Sequence, residues 1–550
     1  MEQLGGMEQL GGMEQWGLRE TPEHLAQRYR HEGFWTGQSL GDFLDELIRA
    51  DRDREFRVWS EQRPYRGTVG DAYQLAAEVA GGLRRRGVEA GDVVAFQLPN
   101  CVEAAAAFWG ICQLGAVVVP IVHFYGPKEV GYILAESQAK ALITADEFGW
   151  LDYLANLDKV KGDLADLEHV IVIPMSDDAP NLGELSGSAP FGEELVVSPE
   201  APALLAYTSG TTANPKGVIH SHQSIVAEIA QLGDIQPEQR LPLLVGAPVG
   251  HAIGMLSGLL LPLYLGDPVH LADQWNPPAI LDAMIEAGVY AGSGATFFLL
   301  SLLDDPAFGP QHAEKMRFIG LGGSAVPVAV GERAAELGIS VIRSYGSTEH
   351  PSTTGATHDE ERQRRISTDG HPLSGVELRI VDDDGRELPP GEPGEILSRG
   401  PDLFIGYTDP GLTEESFADD GWFRTGDIGV LDDQGWLTIT DRKKDVIIRG
   451  GETISPAEVE EVITRLPGVA EVAVVAVPDE RLGEHGCAFV RVAPAAAEPT
   501  LDDLRGHLEA VGLAKQKWPE ELVVVEDFPR TAAGKVKKYE LRQGRGGDQP

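Results

Sequence analysis

The feature that most constrains this chain is the nearly unbroken apolar stretch at residues 104–122. Length alone would suit a membrane span, but the stretch is punctuated in a way that no span requires. Asn100 stands where it can cap a helix starting near Cys101, Gly115 stands where that helix would stop, and residues 116–121 then read as a buried strand. Residues 93–97 supply a strand before it. Strand, helix and strand form one βαβ unit of a parallel sheet, whose strands run continuously apolar because both faces are covered. The apolar run at 251–265 has the same explanation.

From about Phe43 to Thr440 strand-like runs alternate with amphipathic helical stretches, which predicts an α/β fold of layered sheets and helices. The texture changes at Asp441-Arg442-Lys443-Lys444-Asp445, a charged joint followed by Gly450-Gly451. Beyond it, Ser455-Pro456-Ala457-Glu458 reads as a capping box opening a helix that ends near Pro467-Gly468. Residues 472–477 read as a strand, Thr500 to Gly512 as a helix and residues 522–525 as another strand. The expectation is a large N-terminal α/β domain at 19–441, a hinge at 442–445 and a small α+β domain at 446–543. Met-Glu-Gln-Leu-Gly-Gly occurs at 1 and 7 with a variant at 13, so residues 1–18 read as a disordered tail, as do 544–550. No basic segment followed by an apolar one marks a secretory signal.

The 550 residues carry 86 acidic and 45 basic side chains, a formal charge of −41. That excess opposes a broad nucleic-acid or anionic-membrane footprint, so any anion must be held locally. Cys101, Cys112 and Cys487 have neither metal-type spacing nor the number for a disulfide framework, which points to a reducing compartment, the cytoplasm.

A local anion site is legible at Tyr207-Thr208-Ser209-Gly210-Thr211-Thr212-Ala213-Asn214-Pro215-Lys216-Gly217, after the strand-like residues 203–206. Hydroxyls of Thr208, Ser209, Thr211 and Thr212, flexible backbone at Gly210 and the charge of Lys216 suit a polyphosphate. The spacing is not that of a Walker loop.

This loop resembles the phosphate loop of the acyl-CoA synthetase, adenylation-domain and luciferase superfamily of adenylate-forming enzymes. The family usually has glycine where this chain has Ala213. Five further segments match in the family's order: Gly322-Gly323-Ser324-Ala325-Val326-Pro327, Tyr345-Gly346-Ser347-Thr348-Glu349, Gly421-Trp422-Phe423-Arg424-Thr425-Gly426-Asp427, Asp441-Arg442-Lys443-Lys444-Asp445 and Pro529-Arg530-Thr531-Ala532-Ala533-Gly534-Lys535. The likeness spans residues 40–543. It implies a small mobile C-terminal domain and a two-step reaction with ATP, Mg²⁺ and coenzyme A, in which a carboxylic acid becomes an acyl adenylate and then a thioester.

Under that resemblance Gly323, Ser324, Ala325, Tyr345, Gly346, Ser347 and Thr348 border the adenine and phosphates, Asp427 the ribose, and Arg442 the nucleotide. Glu349 and Thr212 hold the metal. Lys535 is the adenylation lysine, Lys444 the pivot, and Gly450, Gly451 and Glu452 line a pantetheine tunnel. His251, Gly254, Phe297 and Phe298 flank an apolar cleft without an acidic partner for an ammonium group, so the substrate is expected to be a fatty, alicyclic or aromatic acid. A homodimer and acetylation of Lys535 by a lysine acetylase, reversed by a deacetylase, are further expectations. The competing readings are a ligase that loads a carrier protein and a catalytically impaired nucleotide-binding homologue, the latter supported only by Ala213.

Overall fold

The computed structural model describes residues 16–176, 178–193, 195–208, 215–323, 326–442, 445–449, 452–479, 482–494, 496–531 and 534–543. Its largest sheet has seven strands in the order Gly406–Tyr407, Lys216–Ser221, Pro202–Thr208, Val117–Pro120, Val93–Gln97, Ala141–Ala145 and His169–Ile173. From Pro202–Thr208 to His169–Ile173 the strands are parallel. The helix Val102–Gln113 joins two of them, buried from Val102 to Cys112, and Gly115 ends the turn after it at φ 63°. The apolar run is therefore the helix and strand of a βαβ unit.

Asn100 does not cap that helix, whose first turn has no side-chain cap. Its amide is used across the fold instead. Nδ2 donates to the carbonyls of Ala247 at 3.0 Å and Ala272 at 2.9 Å, and Oδ1 accepts the Val249 N–H at 2.8 Å. Three bonds to main-chain groups outweigh one cap. They tie the first sheet to a second one ordered Leu244–Val245, Val269–Ala272, Glu55–Trp59 and Tyr65–Thr68. The run at 251–265 becomes the helices Ala252–Met255 and Leu261–Leu265 around a π turn at Leu256–Leu260.

The alternation of strand and helix fails after residue 376. Glu377–Val381, Gly394–Arg399, Phe423–Leu431 and Leu437–Arg442 form an antiparallel sheet instead. Its last hairpin turns on Asp432, whose carboxylate accepts the N–H groups of Gln434 and Trp436, both at 2.9 Å. The resulting register sets Asp427 opposite Arg442.

The C-terminal sheet runs Glu452–Ile454, Ile447–Arg449, Gly483–Val492 and Val469–Asp479, with Glu521–Val525 beside Gly483–Val492. Thr500 and Asp503 form a complete capping box on the helix Leu501–Ala510. On the helix Pro456–Ile463 only half of the expected box forms. Ser455 accepts the Glu458 N–H at 3.1 Å, while the Glu458 carboxylate is drawn to Lys517 at 2.6 Å. A charged partner is the stronger attraction.

Trp16, Gly17 and Leu18 do not belong to the tail expected at 1–18. Trp16 is buried beside the first sheet, Gly17 lies against Pro410, and the Arg19 N–H donates to the Ile405 carbonyl at 2.8 Å. Residues 1–15 and 544–550 lie outside the described residues. Among the described residues no helix is long and apolar enough to cross a membrane.

Replacing Asn100 by alanine removes three hydrogen bonds, each worth about 0.5–1.5 kcal/mol. Asn100→Ala is expected to lower the thermal midpoint by several degrees, because the loop leading to His251 loses its anchor; a thermal melt reads the effect.

Candidate active site

Thr208 and Lys216 are direct partners in the antiparallel pair that closes the Ser/Thr-rich loop. Ser209, Gly210, Thr211, Thr212 and Ala213 of that loop lie outside the described residues. The Lys216 ammonium stands 5.2 Å from the centre of the Tyr407 ring, on the neighbouring strand Gly406–Tyr407. The Tyr407 hydroxyl donates to Glu349 Oε1 at 2.8 Å. One tyrosine thus links the lysine at the end of the loop to the carboxylate expected to hold metal.

The segment from Tyr345 to Glu349 has no regular structure of its own and is held from three sides. The main chain of Tyr345 pairs with Thr354, with N to O distances of 3.1 and 3.0 Å. The buried His220 donates from Nε2 to the Thr348 carbonyl at 2.7 Å, and the Phe404 N–H donates to the Glu349 carbonyl at 2.9 Å. Burial pushes the His220 imidazole below its usual range, which keeps it a neutral donor. At the front of the segment the Tyr345 hydroxyl donates to Asp427 Oδ2 at 2.7 Å. Gly346 and Ser347 complete the turn, with the Ser347 N–H on the His350 carbonyl at 2.9 Å.

The C-terminal unit reaches this region with the tip of one loop. Arg530 is held by Glu471, donates to the Gly534 carbonyl at 3.1 Å and lies 5.6 Å from the centre of the Phe297 ring. The Thr531 N–H donates to the Lys535 carbonyl at 2.8 Å, which closes the loop on itself. Lys535 lies against the turn at Gly323, its Cε 3.6 Å from where a Cβ would stand. With φ at +74°, that turn favours glycine on conformational grounds as well. Ser324 and Ala325 lie outside the described residues.

Lys535 also faces His251. Loss of water, reinforced by the lysine charge, pushes the His251 imidazole down to about 4. His251 is therefore neutral at ordinary pH, and its Nδ1 accepts the Ile253 N–H at 3.3 Å as the cap of the helix Ala252–Met255. A second docking contact comes from Glu461, which accepts the Val328 N–H at 3.1 Å at the start of the helix Val328–Glu336.

The four residues expected around the acid separate. Phe298 lines a cavity with Leu244, Gly246, Ile253, Ser293 and Trp275. Phe297 turns away from it to meet the C-terminal loop at Gly534, and His251 faces Lys535. Gly254 is buried against the Pro248 carbonyl. Trp275 and Gly246 were not among the expected residues. The signal available was position: Trp275 follows the carboxyl end of the parallel strand Val269–Ala272, where open α/β sheets place their ligands.

At the joint, Arg442 ends the strand Leu437–Arg442 and Glu452 begins Glu452–Ile454. Lys444, Gly450 and Gly451 lie outside the described residues. Asp441, just before the joint, is buried near Ser455 and Lys538, and burial pushes its carboxyl up to about 7.

A layered α/β domain with a smaller domain that brings a lysine to its loop cleft is the architecture of adenylate-forming enzymes. The model of the AMP-binding enzyme family matches residues 44–408, and that of the AMP-binding enzyme C-terminal domain matches residues 458–535. The chain belongs to this family. It is 33% identical over 529 residues to the medium-chain fatty-acid–CoA ligase of Escherichia coli K12, covering 95% of this chain and 93% of that one. It is 35% identical over 521 residues to 3-[(3aS,4S,7aS)-7a-methyl-1,5-dioxo-octahydro-1H-inden-4-yl]propanoyl:CoA ligase of Mycobacterium tuberculosis H37Rv, covering 91% and 97%. Among solved structures, ATP-bound MatB from Rhodopseudomonas palustris superimposes with a TM-score of 0.83 at 27% identity, covering 92% of this chain and 99% of that one. The anthranilate CoA ligase AuaEII with anthranoyl-AMP gives a TM-score of 0.83 at 25% identity, covering 92% and 97%.

The Asp441 shift has a definite sign. A carboxyl raised from 3.8 to about 7 by burial carries no penalty below the lower value and its full penalty above the upper one. Asp441→Asn is therefore expected to raise the thermal midpoint progressively between those two pH values, with the gain held at pH 8 and absent at acidic pH. Melts of both proteins across that range check it.

Proposed function

We propose that this protein is an ATP-dependent carboxylate–CoA ligase that makes an acyl adenylate, releases pyrophosphate and passes the acyl group to coenzyme A. The observation that carries the reading is the position of Lys535, on the C-terminal unit, against Gly323 and His251 of the large domain. A carboxylate is a poor electrophile, and catalysis of its attack on the α-phosphate consists mainly of positioning and charge neutralisation. Lys535 neutralises the carboxylate and phosphate oxygens as they approach. Lys216 and the hydroxyls of Thr208, Ser209, Thr211 and Thr212 grip the pyrophosphate end, and the Asp427 carboxylate accepts from the ribose hydroxyls. Tyr345 stacks the adenine and is held in place by its bond to Asp427.

Glu349 fits a magnesium ligand. Its Oε1 is oriented by Tyr407, and among the described residues Oε2 has no hydrogen-bond partner. With Thr212 it would hold Mg²⁺, which supplies charge neutralisation to the triphosphate. His251, kept neutral, shields the carboxylate end of the acid without competing for its charge.

The second step needs a thiol where Lys535 stood. Rotation of the small domain about Lys444 withdraws the lysine and brings Gly450, Gly451 and Glu452 to line the pantetheine path. The docking contacts that must be released include Glu461 on Val328, Arg465 on Glu332 and Arg530 on Phe297. Fatty, alicyclic and aromatic acids are the substrate class, in line with the relatives' names. The cytoplasm is the proposed location. A homodimer, and acetylation of Lys535 reversed by a deacetylase, complete the reading.

Pyrophosphate release that depends on an added acid, followed by thioester formation with free coenzyme A, is the expected result. Release without any thioester would turn the assignment to a carrier-protein ligase. Lys535→Ala is expected to lower adenylate formation by about 10²-fold or more, the scale of losing one charge-stabilising group. It should spare thioester formation from a supplied acyl adenylate, and equal loss in both half-reactions would contradict the division of labour.

A further inference from the structure

We propose that Asp479, His485 and Glu520 of the C-terminal unit form a binding site for a zinc ion, separate from the magnesium role of Glu349 and independent of the ligase reading. Three segments converge there. The antiparallel register sets Val477 opposite His485, so Asp479, two residues on, lies diagonally from His485 on the same face of the sheet. The Glu520 N–H donates to the Gly486 carbonyl at 2.8 Å, which fixes the chain before the strand Glu521–Val525 beside the histidine. One imidazole nitrogen and one oxygen from each carboxylate lie within 4.8 Å of one another. Two atoms bound to one zinc ion at about 2.0–2.2 Å each stand no more than about 4.4 Å apart, so a small side-chain rotation closes the set. Among the described residues no other group of three His, Cys, Asp or Glu side chains is placed in this way.

The histidine is what makes the cluster a site. His485 is 8% exposed, and its Nε2 lies 3.2 Å from Glu521 Oε1. An ionised carboxylate only accepts hydrogen bonds, so in the neutral ring the proton sits on Nε2 and the lone pair on Nδ1. Among the described residues that buried Nδ1 has no hydrogen-bond partner. It faces Asp479 Oδ2 at 3.7 Å, too long for a hydrogen bond and itself an acceptor. A buried lone pair opposed to a carboxylate oxygen is costly as it stands, and a cation between the two satisfies both. In metal sites the ring nitrogen away from the ion commonly donates to a carboxylate that fixes tautomer and orientation. Glu521 stands in that position.

The carboxylates are oriented too. Asp479 Oδ1 accepts the Leu482 N–H at 2.7 Å, which aims Oδ2 at the ring. Glu520 accepts from Arg449 through Oε1, so its second oxygen is the one offered to the ion. An imidazole nitrogen with carboxylate oxygens suits zinc, whereas magnesium takes shells of oxygen alone. Because the three side chains come from two strands and from the start of a third, a bound ion cross-links one end of the sheet.

The test is a titration of the full-length protein, stripped with a chelator and dialysed, with Zn²⁺ in the presence of excess Mg²⁺, followed by calorimetry and by thermal melts. One equivalent of Zn²⁺ per chain is expected to bind and to raise the thermal midpoint by a few degrees, as any ligand selective for the folded state does. His485→Ala should lose that equivalent and the rise with it. Glu521→Gln, which keeps all three ligands and weakens only the support of the ring, should bind about tenfold or more weakly, and it carries the test should the alanine variant fail to fold. No equivalent bound by the unmodified protein, an equivalent retained by His485→Ala, or undiminished affinity in Glu521→Gln overturns the site.

Discussion

The contact between Lys535 and the turn at Gly323 is the one on which the rest of the molecule depends. Two domains with separate cores meet there through a side chain longer than any hydrogen bond and a residue with no side chain at all. The glycine leaves the space and Thr531, Arg530 and Glu471 stiffen the loop that delivers the amine. The loop that delivers the cation is braced within the C-terminal unit, so it can leave without dismantling the large domain. That is what a reaction with two incompatible steps at one cleft requires.

Much of the architecture could be read from the chain because local chemistry and the final environment agree. The apolar run at 104–122 has one comfortable solution, a helix and strand buried on all sides, and Thr500 with Asp503 makes the box its spacing announces. The failures occur where a polar side chain had a better partner far away. Asn100 bonds three main-chain groups on distant segments, and Glu458 leaves its own helix for Lys517. No local pattern reveals such partners. The antiparallel sheet beyond residue 376 was hidden for another reason: its short strands lie between Asp- and Gly-rich turns and lack the continuous apolarity that marks the parallel strands.

The site divides along the same line. Lys535, Asp427, Tyr345, Glu349 and Lys216 sit in segments whose order and spacing are legible; in the structure Tyr345 bonds Asp427, Tyr407 joins Glu349 to Lys216, and Lys535 lies at Gly323. Tyr407 and His220, which orient Glu349 and Thr348, carry no motif of their own. The acid cavity was the least legible part. Aromatic residues adjacent in sequence on a helix point in different directions, so Phe297 meets the C-terminal loop while Phe298 faces the cavity. Trp275, which also lines that cavity, comes from a different strand end altogether.

Asp427 and Arg442 face one another across two antiparallel strands joined by the turn at Asp432. Side chains on a strand alternate between faces, so a slip of one residue in that ladder would send the carboxylate to the opposite side of the sheet and carry the start of the hinge out of phase with it. The length of the turn, together with the one-residue register shift between Ile428 and Gly429, is thereby bound to the alignment of Asp427 with the joint between domains. Insertions that other surface turns would tolerate should be rare at residues 432–436, and Asp432 acts as the peg that keeps the two halves in step.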